Sequence, residues 1–201
     1  MNVAPWSFSK IKAFEQCPKK FYHLKVKRDY KEVETDAMRY GTEVHTAAEH
    51  YVRDGVEIPE AYTYMKPALD ALLAKKGARL CEYKMGLTED LKACSFFDGS
   101  VWWRGIADLI ILDAEDNLAW VVDYKTGKNA RYADKGQLEL MSLAVFQHFP
   151  VVTSVRAGLL FLVSNELIKD TYSKRQQTEL WDKWMQDFMR MEVAFDKDVW
   201  N

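Results

Sequence analysis

Four segments, residues 79–87, 100–112, 118–126 and 155–163, constrain this chain more than any other feature. Each is rich in Val, Ile, Leu or Trp and is bounded by turn-forming residues, so each reads as a strand. Asp98-Gly99 and Asp113–Asn117 are hairpin-like connections, which makes the first three segments an antiparallel meander. Residues 134–148 then carry a helical pattern before the fourth segment. A strand–helix–strand order requires a crossover, so the last strand should run parallel to its predecessor. The expected architecture is α/β: a small mixed sheet flanked by α-helices.

Further helices surround this centre. Over residues 7–28, Ser7 or Ser9 can cap, and Ile11 and Phe14 follow at helical spacing. Cys17 precedes Pro18, so the helix should stop there and restart with proline near its first position, continuing through Phe21, Tyr22 and Leu24. Residues 36–53 place Ala37, Met38, Gly41, Val44, His45, Ala48, Tyr51 and Val52 on one stripe, with Gly55 as a stop. Residues 60–76 form another helix with Tyr64, Leu69, Leu72 and Leu73 as its apolar positions, and Gly77 reads as its C′ glycine. Residues 175–197 close the pattern, with Leu180, Trp181, Trp184, Phe188, Met191 and Phe195 on the buried side. That periodicity reads Trp181 and Trp184 as core.

Charge narrows the function. Lys plus Arg number 28 and Asp plus Glu 30, a formal net charge of -2, which excludes a uniformly basic protein held on nucleic acid by bulk charge. The distribution is uneven. Residues 1–31 carry eight bases against two acids, a net of +6, and residues 179–201 carry three bases against six acids, a net of -3. The apolar run Ala157–Val163 is far shorter than a membrane span. Cys17, Cys81 and Cys94 form no CxxC pair and no zinc or disulfide framework. With no signal-peptide pattern over Met1–Ser9, the expected setting is cytoplasmic, in a bacterial or phage-infected cell.

The segment from Trp120 to Gly127 carries the chemistry. Side chains alternate along a strand, so Asp123 and Lys125 share a face with Val121, while Val122 and Tyr124 share the other. Burying either charge alone is costly, so both need partners. Two readings stand at this point: a structural ion pair at a strand end, or a reactive site. Asp108 lies mid-strand among Ile106, Ala107, Leu109 and Ile110, where Asp is depleted. Counting out from the turn at 113–117 brings it near the level of Asp123. Two carboxylates repel unless a cation lies between them, and hard oxygen ligands suit Mg²⁺ or Mn²⁺. His45, on the apolar stripe of its helix, reads either as a core histidine or as a ligand.

Gly41-Thr-Glu-Val-His45, Gly105-Ile-Ala-Asp108, Val122-Asp-Tyr-Lys-Thr-Gly127 and Gln137 follow the order and spacing of the PD-(D/E)xK nuclease superfamily. Trp6 to Tyr22, with its Cys17-Pro18 and Phe21-Tyr22, resembles the opening of the RecB-like exonuclease branch, which includes the CRISPR-associated four-cysteine nucleases. The resemblance covers roughly residues 6–163. It implies a restriction-endonuclease-like core in a single domain, 1–201, with a basic helical segment at 1–35, a catalytic core at 36–163 and a C-terminal helix at 175–197. It makes His45, Asp108, Asp123 and the backbone carbonyl of Tyr124 ligands of one or two Mg²⁺ or Mn²⁺ ions. Asp108, Asp123, Lys125 and Gln137 become the catalytic set: Lys125 stabilises charge on the reacting phosphate, and Gln137 places that lysine and the phosphate. Glu82 takes a minor acidic role on the first strand. The branch usually carries a tyrosine four residues after the glutamine; here that residue is Met141. Cluster-bearing members need three C-terminal cysteines, and none follows Cys94, so no iron–sulfur cluster is expected.

The implied activity is metal-dependent hydrolysis of DNA from free ends, in repair, recombination or phage DNA processing. An endonuclease, an RNA-processing nuclease or a silent nucleic-acid-binding subunit are the alternatives. The basic N-terminal segment is either a solvated face or a phosphate clamp. In the second reading Lys10, Lys19, Lys20 and Arg104 hold the backbone, Tyr22 or Trp6 stacks, and Lys128, Arg131 and Lys135 add a second patch. No membrane is expected as a partner; a second copy of the chain or a replication or recombination protein is.

Overall fold

The structure, a computed structural model, describes residues 5–127 and 133–201. One mixed six-stranded sheet carries the chain: β1 (Ala78–Leu87), β2 (Ala93–Cys94), β3 (Trp103–Asp113), β4 (Leu118–Lys125), β5 (Ser154–Phe161) and β6 (Glu166–Ser173), in the order β2-β1-β3-β4-β5-β6. β1, β3 and β4 are antiparallel neighbours, and β5 pairs parallel with β4 after the crossover helix α5 (Gly136–His148), as the segment order requires.

Helices cover both faces. α1 (Phe8–Gln16) ends at Cys17, and α2 (Pro18–Phe21) restarts on its proline, continuing as a π turn to Val26. α1 and α5 join α6 (Gln177–Lys197) on one face. α6 buries Trp181, Trp184, Phe188 and Met191 there, the stripe its spacing indicates. α3 (Asp36–Asp54) and α4 (Lys66–Leu73) cover part of the other face through Val44, Ala48, Val52, Leu69 and Leu72. Thr35 caps α3 by accepting from the Met38 N–H, and Gly55 ends it at φ 69.

Three local readings change. The helix read over 60–76 is a 3₁₀ turn, Glu60–Met65, followed by α4, because Pro67 begins a helix more readily than it continues one. Gly77 lies beyond the end of α4. At φ 129 it brings the backbone against β3, where a Cβ would stand 2.7 Å from the Leu112 carbonyl oxygen. β6 is an additional edge strand whose polar, charged sequence hides it; only Tyr172 among its residues is buried.

The sheet is irregular at one level. Trp103 and Ala107 face the α5–α6 core, yet Leu109 and Ile111 face the α3–α4 core, although a regular strand would keep these alternate residues on one side. β1 makes the same exchange between Cys81 and Tyr83. The exchange falls at Glu82 and Asp108, where the β1–β3 pairing skips one step. Glu82 adopts φ 48, a left-handed conformation rare outside glycine. At the same level β3 parts from β4: their pairing ends at Leu109↔Val122, while β4 continues beside β5 to Lys125. The N-terminal segment occupies the β3 edge that β4 leaves. Trp6 bridges Trp103, donating to the Trp102 carbonyl at 2.7 Å and accepting from the Arg104 N–H at 2.9 Å. Trp6 is 2% exposed, which removes it as a stacking surface.

Candidate active site

The parting of β3 and β4 is where the acidic residues gather. Asp108 reaches into the opening and accepts the Tyr124 backbone N–H at 2.6 Å, the bond a continuing ladder would have made to backbone. From α3, one turn beyond Gly41, His45 brings Nδ1 to 3.5 Å from the Asp108 carboxylate. Glu82, turned by its backbone, completes a trio: ligand atoms of His45, Glu82 and Asp108 lie within 4.8 Å of one another.

A second constellation stands on the α5 side. Lys125 donates to Gln137 Oε1 at 2.9 Å and holds its ammonium 2.7 Å from Asp123 Oδ2. Gln137, in the first turn of α5, donates through Nε2 to Asp123 Oδ1. Asp123, Lys125 and Gln137 thus form a closed triangle, with the amide orienting both charged groups. Tyr124 points its ring the other way, into the α3–α4 core beside His45, as alternation demands.

Electrostatics tie the two groups together. Burial pushes the Asp123 carboxyl up to about 6; the Asp108 charge adds to the rise, and Lys125 and His45 oppose it. Burial also raises Glu82, with Asp108 and Glu49 adding repulsion. Burial alone would lower His45, but the hydrogen bond and charge of Asp108, with Asp123 and Glu82 behind it, raise it overall. Three carboxylates crowded at one opening are a standing cost that a cation relieves. Asp123 Oδ2 is buried beside the Lys125 ammonium, and a carboxylate oxygen with one such neighbour keeps a second lone pair for a cation. One imidazole, several carboxylate oxygens and no thiolate fit a hard divalent ion.

The structure therefore brings together His45, Asp108, Asp123, Lys125 and Gln137, and moves Glu82 from the margin into the acidic trio. The signal for Glu82 in the sequence was the resemblance alone, which places an acidic residue on the first strand; its backbone turn was not legible. The Tyr124 backbone enters through its N–H. Met141 is 5% exposed and packs beneath β3, where a Cβ on Gly105 would meet its methyl carbon at 2.8 Å. Lys19 and Lys20 are exposed on α2, and Tyr22 packs at 5.0 Å from Trp200, near the C-terminus. Lys12, Lys25 and Lys27 of the basic segment are paired with acids. Lys128 and Arg131 lie outside the described residues.

Comparison with known proteins bears on the family and the fold. The model of the PD-(D/E)XK nuclease superfamily matches residues 5–197. The crystal structure of a candidate exonuclease from Eubacterium rectale superposes with a TM-score of 0.58 at 12% identity, covering 97% of this chain and 82% of that one. That likeness shows the fold. The crystal structure of SSO0001 is more remote, with a TM-score of 0.33 at 12% identity over 89% of this chain and 84% of that one. No curated protein matches the sequence. With the match running almost from end to end, the chain belongs to the PD-(D/E)XK nuclease superfamily.

Proposed function

We propose that this protein is a metal-dependent DNA exonuclease, acting on free ends in repair, recombination or phage DNA processing. The observation that carries the reading is the intact Asp123–Lys125–Gln137 triangle facing the His45–Glu82–Asp108 trio across the split in the sheet. The resemblance to the RecB-like branch, and the exonuclease assignment of the Eubacterium rectale neighbour, favour action at ends. The free cysteines favour a reducing compartment such as the cytoplasm.

His45, Glu82, Asp108 and Asp123 are the residues that would hold Mg²⁺ or Mn²⁺, as one or two ions. Bound there, a divalent ion supplies charge neutralisation at the phosphodiester and an acidified water. The chain's own groups do the rest. Gln137 fixes the Lys125 ammonium at the strand end, so it stands preorganised beside the phosphate oxygens as their negative charge grows. Asp123 holds that ammonium in place at 2.7 Å, a fixed position that suits charge stabilisation at the reacting phosphate.

The test is incubation of end-labelled linear DNA and covalently closed circular DNA with Mg²⁺, Mn²⁺ or EDTA. Loss of linear DNA alone, dependent on metal, is expected. Cutting of circles would make the protein an endonuclease, and no cleavage with either metal would refute the enzymatic reading.

A further inference from the structure

The exchange of faces at Glu82 and Asp108 has an effect beyond the acidic cluster. Past it, Tyr83, Met85, Leu87, Trp103 and Ala107 face the α5–α6 core, so Lys84, Gly86, Arg104 and Ile106 face the opposite side. α3 and α4 bury residues on the other half of that side, such as Leu109, Ile111 and Val122. A two-strand strip with an exposed Lys84 and half-buried Arg104 and Ile106 therefore runs away from the acidic site. From Glu82 to Gly86 it spans about 13 Å at ~3.3 Å per residue, the rise of roughly four stacked nucleotides.

The far end of the strip is built. The segment after β2 curls onto it over Gly86, where a Cβ would stand 2.7 Å from the Ser95 carbonyl oxygen. This sets Phe96 against the Arg104 guanidinium, 5.0 Å from ring centroid to cation, and Phe97 against the Lys84 ammonium at 5.8 Å. Phe97 is 75% exposed, with its ring 5.0 Å from that of Phe96. Among the described residues, Lys10, Arg28, Lys84 and Arg104 have no carboxylate within ion-pair distance, as is also true of others such as Lys19, Lys31 and Arg79; what marks Lys84 and Arg104 is their place beside the two rings. Lys10 and Arg104 are close enough that, after burial, the Arg104 charge is the strongest influence lowering the Lys10 ammonium, with Arg28 and Lys25 next. An uncovered strip of unneutralised cations ending in an exposed aromatic ring has the chemistry of a strand track: cations for phosphates, a ring for an unpaired base.

We propose that the Lys84–Arg104 strip is the track for one unpaired DNA strand entering the acidic site, with Phe97 stacking on a base about four nucleotides from the site. This rests on the nuclease reading for its direction and purpose. It makes single-stranded DNA, or the frayed end of a duplex, the substrate class. A duplex keeps its bases stacked on one another and offers Phe97 no face.

The test is fluorescence anisotropy with a labelled deoxythymidine oligomer and a blunt duplex, in EDTA so that no cleavage occurs. Phe97→Ala, at an exposed position that leaves the fold intact, should weaken single-strand binding by roughly 5- to 100-fold, the worth of one stacked base, with duplex binding unchanged. Lys84→Ala with Arg104→Ala should lower the salt slope of single-strand binding by about 0.7 for each phosphate no longer held. Thermal melts confirm that each variant folds. Wild-type affinity in both variants, equal loss on duplex and single strand, or no single-strand binding by the wild type would overturn the track. Metal-dependent cleavage of linear DNA by the wild type is scored separately. Cleavage without these binding effects leaves the nuclease reading standing and removes the track; the binding effects without cleavage do the reverse.

Discussion

Replacing Asp123 by Asn should make the metal-free protein more stable, although it removes a central residue of the proposed site. Burial and the Asp108 charge lift the Asp123 carboxyl from 3.8 to about 6. An acid whose pKa rises on folding holds its proton more tightly in the folded state. Its ionisation is therefore neutral to stability below the ordinary value, destabilises increasingly as pH climbs from the ordinary to the folded value, and is fully destabilising above it. Two units of rise correspond to about 3 kcal/mol at neutral pH and above, at ~1.4 kcal/mol per unit. The side chain is only 10% exposed, so solvent screening takes little of this away. Asn keeps the oxygen that accepts from Gln137 Nε2 but sets an amide donor against the Lys125 ammonium. Lys125, 35% exposed, can turn to solvent at a cost of about 1 kcal/mol, one hydrogen bond's worth. The net gain is then about 2 kcal/mol, or ~4–8 °C in Tm for a chain of this size. Urea unfolding in EDTA across a pH series measures it. The advantage of Asp123→Asn should be full near pH 8 and vanish toward pH 4. A variant less stable than wild type near pH 8, or an advantage that does not depend on pH, would refute the reasoning.

Other substitutions test the remaining parts. Lys125→Met leaves the buried Asp123 carboxylate without its cation, so in EDTA it should lose about 1–2 kcal/mol near pH 8, opposite in sign to Asp123→Asn; its cleavage of linear DNA should fall by about 100-fold or more, as expected when a preorganised charge is removed. Glu82→Gln keeps the shape but removes a charge from the trio, so Mn²⁺ affinity by calorimetry should drop about tenfold or more, and unchanged affinity would return Glu82 to the margin. Gly77→Ala forces an alanine to φ 129 with its Cβ 2.7 Å from the Leu112 oxygen, which should cost about 2 kcal/mol or more in a urea melt while the affinity for Mn²⁺ stays at wild type.

What could be read from the sequence was whatever depends on spacing along one element. Asp123 and Lys125 are two apart on a strand, so their shared face followed directly, and the strand–helix–strand order fixed the parallel pairing of β4 and β5. His45 reached the site because its place on the α3 stripe aims it at the sheet. The exchange of faces at Glu82 and Asp108 was not legible, since it depends on one non-glycine residue entering left-handed space, which no residue type announces. Strict alternation would have put Trp103 and Leu109 on one side and closed the strip that carries Lys84 and Arg104. β6 was missed because an edge strand with one buried residue has no apolar pattern to show. Trp6 read as a stacking surface because a tryptophan beside basic residues fits that role; the free edge of β3 that it fills exists only in three dimensions.

The split in the sheet explains why these residues can act together at all. An intact sheet is a wall: a residue on α3 and one on α5 lie on opposite sides, separated by a layer of backbone. By parting from β4 at Asp108, β3 opens the wall at one level, and the carboxylate there replaces the backbone acceptor that the Tyr124 N–H would otherwise lack. Through that opening His45 from one face meets charges anchored by Gln137 from the other. The opening would leave a bare edge on β3, and Trp6 closes it with two backbone hydrogen bonds and a buried ring. The residues just before the basic α1 are thus part of what holds the site open, and α1 carries Lys10 to within electrostatic reach of Arg104 as a consequence of the same anchoring.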